Sequence, residues 1–294
     1  MRYIIIIFFF LISTSGISQV RGVILNVETH KPVPYSNIGI ENSIIGTTSD
    51  VDGHFSFKKS ILGIRLVISS VGFETQHHLV TDSLVEIYLQ PKTYELSNII
   101  VKPNRKKLNL VVNEIPSRNC SNYLVCSGYP WITAKYFEYK KEYENLRFIK
   151  EVKILVTSKI DSAKFNLRII EANDKGEPLD NISQNNIIII ANKGTHVYTQ
   201  NLEDKHLIFP ENGLFVALEW LIIDRNRFEF NYSMKGERKK IHETRFEPRF
   251  CAFPKQGSIN LWTYSGGEWR RLSIPDHLSK GQKLDLAIEL ILTN

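Results

Sequence analysis

Ile64-Arg65-Leu66-Val67-Ile68-Ser69-Ser70-Val71-Gly72-Phe73 is the stretch on which the reading of this chain turns. It is apolar, rich in branched side chains, too short for an ordinary helix, and it ends on a glycine. That combination reads as a buried strand. The same grammar extends on both sides. Upstream, Val20, Gly22 and Ile24 alternate with Val23 and Leu25, and Asn37, Gly39 and Glu41 alternate with Ile38 and Ile40. Between them, Thr29 to Pro34 holds two prolines close together, which a ladder does not tolerate, so it reads as a turn. Gly46 to Gly53 is turn chemistry, in which Asp50 can bond its own backbone and Gly53 can take a positive φ. Alternation resumes at His54-Phe55-Ser56-Phe57, and Leu84 to Leu89 is a further strand ended by Pro91. About seven short strands with frequent turns across residues 19–102 predict a β-sandwich.

Lys102-Pro103-Asn104-Arg105-Lys106-Lys107 is polar and broken by proline, so it reads as a linker. Residues 103–135 read as that linker plus an irregular segment. Residues 136–294 return to strand patterning. Val152, Ile154 and Val156 alternate with Glu151, Lys153 and Leu155, and Phe165, Leu167 and Ile169 with Lys164, Asn166 and Arg168. Ile187 to Ile190 reads as a fully buried strand, and His206 to Phe209 as a short strand stopped by Pro210. Gly213 to Leu221 is a long apolar strand, Phe228, Phe230 and Tyr232 alternate, Asn260 to Trp269 forms a hairpin, and Leu284 to Leu290 closes the chain. No helical period of useful length occurs. At least eight strands predict a second sandwich, jelly-roll-like in kind. The fold class expected is therefore all-β, in two domains.

Composition agrees with a folded chain: 294 residues, 43% hydrophobic and 23% charged, too apolar for a disordered protein. Residues 1–18 stand apart. A basic start precedes the apolar run Ile4 to Ile12 and then Ser13-Thr14-Ser15-Gly16-Ile17-Ser18, the three-part layout of a secretory signal peptide cut before Gln19. The run is shorter than the ~20 residues of a membrane span, and no later stretch is long enough. The mature chain is expected to be exported, to the periplasm, the outer-membrane surface or the medium, with no membrane span. The net charge of +6 is scattered, and its densest clusters, Arg105-Lys106-Lys107 and Arg238-Lys239-Lys240, sit in turn-like stretches, so nucleic acid is not an expected partner. An oxidising compartment permits a disulfide. Cys120 and Cys126 are close enough in sequence to pair, leaving Cys251 odd; free buried thiols are the other reading.

Four blocks in the first domain carry a resemblance: Arg21-Gly22-Val23-Ile24, then Thr29 with Pro32-Val33-Pro34-Tyr35-Ser36-Asn37-Ile38, then Gly46 to Phe57, then Leu66 to Phe73. In order and spacing they resemble a carboxypeptidase-regulatory-like domain. The resemblance implies a transthyretin-like, seven-stranded sandwich, of a kind common as an N-terminal accessory in exported proteins of Bacteroidota. In metallocarboxypeptidases that module accompanies a separate zinc domain, which needs His-x-x-Glu and a distant His. None of the eight histidines here has Glu three residues on, and His77-His78, being adjacent in a strand, face opposite sides. The module also precedes TonB-dependent receptor barrels, and Tyr94 to Val101 resembles the strand that follows it there; the residues after Val101 are too few for such a barrel. Arg147 to Val156, Phe209 to Trp220 and the Trp262 to Trp269 hairpin resemble a C-terminal domain found beside this module, similar in shape to galactose-binding jelly rolls.

No nucleophile elbow, phosphate loop or dinucleotide fingerprint occurs, and no catalytic residue, metal ligand or cofactor is expected. Asp50-Val51-Asp52-Gly53 lacks the further ligands of a calcium loop and reads as a turn. Glu219, inside an apolar strand, reads either as an acid with a raised pKa or, preferably, as a carboxylate that is hydrogen-bonded or paired with an arginine. Among aromatics in turn-rich or hairpin stretches (Trp131, Trp262, Tyr264, Trp269), Trp262, Tyr264 and Trp269 are the candidate ligand-binding residues. Trp262 and Tyr264 share one strand face, where exposed rings could stack on a sugar, core packing being the competing assignment. The expected role is an exported, non-catalytic accessory or binding protein of the bacterial envelope or cell surface, with a glycan or an envelope protein as partner; a carbohydrate-binding module or an unrecognised secreted hydrolase are the alternatives.

Overall fold

A computed structural model describes residues 19–92, 107–129, 131–233, 240–257, 259–274 and 281–294. The leader at 1–18 and all but the last residue of the 102–107 linker lie outside the described residues, as does the Tyr94 to Val101 strand.

The first domain is a seven-stranded sandwich. β1 (Val20–Asn26) lies between β4 (His54–Phe57) and β7 (Leu84–Leu89), antiparallel to the one and parallel to the other. The facing sheet has the order β3 (Gly46–Thr48), β2 (Asn37–Ile40), β5 (Arg65–Ser69), β6 (Gln76–Leu79). Ile24, Ile38, Phe55, Leu66, Ile68, Ile87 and Leu89 meet between the sheets as one apolar core. These are the inward positions of each alternation, so the period-2 pattern maps directly onto the core. The Asp50 carboxylate closes its turn as expected, accepting the backbone N–H of Asp52 and of His54, each at 2.9 Å.

The second domain is also a two-sheet sandwich. One sheet runs β13 (Pro178–Asn181), β12 (Ala163–Ala172), β16 (Leu214–Trp220), β10 (Ile132–Phe137), β19 (Leu261–Ser265), β20 (Glu268–Arg271), with β14 (Ile187–Ala191) also on β12. The other is built on β11 (Phe148–Ser158), which pairs with β15 (Gly194–Asn201) and β22 (Ile288–Thr293), and on the long β18 (Lys240–Pro254), which pairs with β17 (Arg227–Ser233), β9 (Asn122–Cys126) and β21 (Leu284–Leu286); β8 (Asn109–Val112) pairs with β22. Val152, Ile154 and Ile288 of this sheet pack against Phe165, Leu167, Val216 and Leu218 of the first. Polar groups are enclosed here too: the Lys135 ammonium sits 2.8 Å from Asp285, and burial still pulls its pKa down to about 8.

Four readings of the sequence are corrected. The segment read as irregular is not so throughout: it supplies β8, β9 and the start of β10. Ile187 to Ile190 is a half-buried strand rather than a fully buried one, because it pairs only with β12 and leaves Ile190 52% exposed. His206 to Phe209 makes only an isolated bridge, Ile208 to Phe148, because His206 takes a left-handed conformation after a single 3-10 turn. Cys120 bonds Cys251, not Cys126, across 131 residues. The register explains this: β9 runs antiparallel to β18 with Tyr123 opposite Cys251, which brings Cys120 alongside, while Cys126 faces the core opposite Phe246.

Burial pushes the Cys126 thiol up to about 11, so it is a poor nucleophile. Thiol titration of the native protein is expected to find no reactive group, of the denatured unreduced protein one, and of the denatured reduced protein three. Cys251→Ser is expected to lose about 2–4 kcal/mol in urea unfolding, since the bridge restrains a long loop in the unfolded chain. Two reactive thiols in the native state would disprove the pairing.

Candidate functional site at the domain seam

Strand alternation gives the sheet of β12, β16, β10 and β19 a second face, turned away from the sandwich core. Ile132, Ala134, Ile170, Phe215, Ala217 and Trp262 form an apolar layer on it, and Arg168 and Glu219 stand beside them. The first domain covers this face. Its four-stranded sheet offers Asn37, Thr48, Val67 and Ser69, all on the side opposite its own core. The Ile222 N–H donates to Thr48 Oγ1 at 3.0 Å, and the side chains of Tyr264 and Ser69 are hydrogen-bonded. Lys164 Nζ donates to the Tyr35 hydroxyl at 3.1 Å, and Lys92 meets Asp180 at 2.7 Å. Two glycines permit the approach. A Cβ on Gly72 (φ +84°) would stand 2.5 Å from the Gln184 carbonyl oxygen, and one on Gly266 (φ +61°) would stand 2.6 Å from that of Ser43.

A buried charge lies beneath this cover. Glu219 is 0% exposed. Arg168 holds it with two parallel bonds, Nε to Oε2 at 2.9 Å and Nη2 to Oε1 at 2.8 Å. Asn166 Nδ2 adds a third at 3.0 Å and also reaches Asn186 Oδ1 at 2.8 Å, while Asn186 Nδ2 donates to the Pro34 carbonyl at 3.2 Å. A continuous polar chain thus links the centre of the second domain's sheet to the backbone of the first. Fork-to-fork geometry satisfies both ions in place of water. Glu219 is therefore the arginine partner that the sequence favoured.

The seam is not closed along its whole length. A crevice of about 90 Å³ lies between Ser70, Thr75, Arg168, Asn181, Tyr264 and Trp269, among others. It continues near Lys92 into a shallower bowl of about 280 Å³ at Gly72, Gln184 and Asn185. The first volume suits a few waters; the second falls just short of the ~300–1,000 Å³ of ordinary ligand pockets. Ser70 and Asn181 line the crevice, and Ser70 Oγ and Asn181 Oδ1 are buried with no hydrogen-bond partner among the described residues. Burial raises the Tyr264 pKa, against the opposing effect of Ser69 and Arg168.

The three candidate aromatics are brought together here, but not as an open platform. Trp262 is 6% exposed; its indole N–H bonds Asn260, Phe215 meets its ring edge-on at 6.2 Å, and the Arg271 guanidinium lies 5.2 Å from its centroid. Tyr264 and Trp269 pair across the hairpin with centroids 5.2 Å apart and line the crevice. Trp131 lies elsewhere, stacked on Trp220 at 4.6 Å. Sequence reasoning did not find the polar chain through Asn166 and Asn186, although both asparagines interrupt or border apolar strands. It also saw the alternation of Phe228, Phe230 and Tyr232 without marking them as a surface.

The CarboxypepD_reg-like domain family matches residues 20–101, which covers the first domain and its cover over the seam. No curated protein matches the chain.

Glu219→Leu leaves Arg168 buried without its counter-ion, and urea unfolding is expected to show a loss of about 3–5 kcal/mol. The double variant Arg168→Met, Glu219→Leu is expected to recover most of that loss. A single variant as stable as the parent would mean the seam is open to water.

Proposed function

We propose that this chain is an exported, non-catalytic accessory or binding protein of the bacterial envelope or cell surface, in which the regulatory-like domain serves as a fixed cover on the second sandwich. The observation that carries this is the seam. The outer face of the regulatory-like sheet is turned onto the partner domain, and the acidic group beneath it, Glu219, is fully buried and tied to Arg168 and Asn166. The long-range Cys120–Cys251 bridge supports passage through an oxidising compartment. A protein secreted by its native route is expected to begin at Gln19 by N-terminal sequencing and to migrate faster on non-reducing gels. A chain recovered from the cytoplasm with Met1 intact and its thiols reduced would overturn the reading.

Carbohydrate binding is the second reading, favoured by Tyr264 and Trp269 at the crevice beside Arg168, Asp180 and Asn181. It places the sugar at the crevice mouth, since Trp262 is enclosed. A glycan array is the measurement. Binding by the wild type that Trp269→Ala loses, with the melting temperature unchanged, supports it; binding that survives the substitution puts the site elsewhere.

A further inference from the structure

The hairpin made by β17 and the first half of β18 leaves the sandwich as a two-stranded arm. Arg227–Ser233 pairs with Lys240–Phe246 in unbroken antiparallel register. Among the described residues, β17 has no other strand partner, and Lys240 to Arg245 have none but β17. No residue of either segment is fully buried. An isolated two-stranded ribbon of this kind is marginal in water. Yet one face of the arm carries a row of rings. Phe228 and Phe230 stack with centroids 5.6 Å apart at 19°, Phe230 and Tyr232 at 6.0 Å and 30°, and the Arg245 guanidinium covers Phe230 at 4.6 Å. The rings take up one another's faces, so they offer little to a sugar. What remains is an apolar stripe running along a bare strand edge, whose free N–H and C=O groups are a template for another strand.

Several other edges of the second domain are blunted. β8 has four residues, β13 begins on Pro178, and β20 carries Glu268, Arg270 and Arg271. β15 is one residue longer than β17 but presents Thr195, His196, Thr199 and Gln200.

We propose that the occupant of this edge is a second copy of the chain, docked antiparallel on β17 with Phe230 on the two-fold axis. The sequence of β17 is self-complementary in that register. Phe228 falls opposite Tyr232 of the partner copy, Phe230 opposite Phe230, Glu229 opposite Asn231, and Arg227 opposite Ser233. All seven residues gain a strand partner, three pairs are aromatic on aromatic, and no like charges meet head-on. The neighbouring registers are worse. Centring on Glu229 sets two carboxylates opposite each other, and centring on Asn231 carries Arg227 and Phe228 past the end of the partner strand. Glu229 keeps its own counter-charges, Arg227 and, at 3.7 Å, the His242 ring. A two-fold contact of this kind closes on itself and yields a dimer, not a filament.

Light scattering coupled to chromatography, over a concentration series of the purified protein, tests association. The molar mass is expected to rise toward twice that of one chain. Phe230→Lys is expected to stay monomeric throughout with an unchanged melting temperature, because the arm has no core to lose. Cysteine cross-linking tests the register. Under mild oxidation Phe230→Cys is expected to join to itself. Arg227→Cys is expected to join only when mixed with Ser233→Cys. Cys126 is buried and does not compete. A wild type that remains monomeric, a dimer that survives Phe230→Lys, or no cross-link through Phe230→Cys above the Arg227→Cys background would each overturn the proposal.

Discussion

The fork-to-fork pair of Arg168 and Glu219 is the constraint around which the two domains are arranged. A carboxylate in the middle of an apolar strand is costly to bury alone, and its three hydrogen bonds make it tolerable only while water is kept out. The strands of its own sheet satisfy the ion but cannot roof it. The regulatory-like domain does so, and the chain of amides from Asn166 through Asn186 to the Pro34 carbonyl ties roof to floor. The seam is therefore more than apolar contact. Its polar groups fix one orientation of the domains, since a rotated docking would leave Asn186, Thr48 and Lys92 facing the wrong partners.

This arrangement changes what the first domain can do. A sandwich of two sheets has two outer faces. Here the four-stranded sheet turns its outer face to the seam, where Asn37, Thr48 and Val67 are buried. The three-stranded sheet of β4, β1 and β7 keeps a more open outer face: Arg21, Ser56 and Glu86 are exposed there. Any partner of the regulatory-like module must approach from that side or from its loops.

Legibility in the sequence followed the range of the interactions. The strands of the first domain were plain because alternation is local, and the Asp50 turn was plain because its bonds span two and four residues. Glu219 could be assigned an arginine because a lone charge in an apolar strand has few other solutions. The misses were long-range. β8 and β9 are short and separated by irregular chain, and they become strands only because β22 and β18, far along the sequence, supply their ladders. The disulfide was misjudged for the same reason, since nearness along the chain was a poor guide to a register set by β18. Trp262 could be read as a sugar platform or as core because alternation does not show which face of β19 is covered; its burial among Phe215, Asn260 and Arg271 is the core reading.

The contrast between the two aromatic alternations shows what the pattern leaves open. Trp262 and Tyr264 on β19, and Phe228, Phe230 and Tyr232 on β17, have the same period and comparable chemistry. β19 is flanked by β10 and β20 within a sheet that carries small residues, Ala134 and Ala217, on its outer face; Gly266 and Gly267 at its end let the first domain come within van der Waals contact. Such a face invites a second layer, and its rings become core. β17 hangs from the extended end of β18, beyond the strands that could back it. No further strand among the described residues pairs with it, so its rings stack on one another and under the Arg245 guanidinium. The difference lies in where the neighbouring strands stop, a property of the sheet rather than of either strand. Further burial of the β17 row has no source among the described residues, and a strand edge is the most direct contact that such geometry offers.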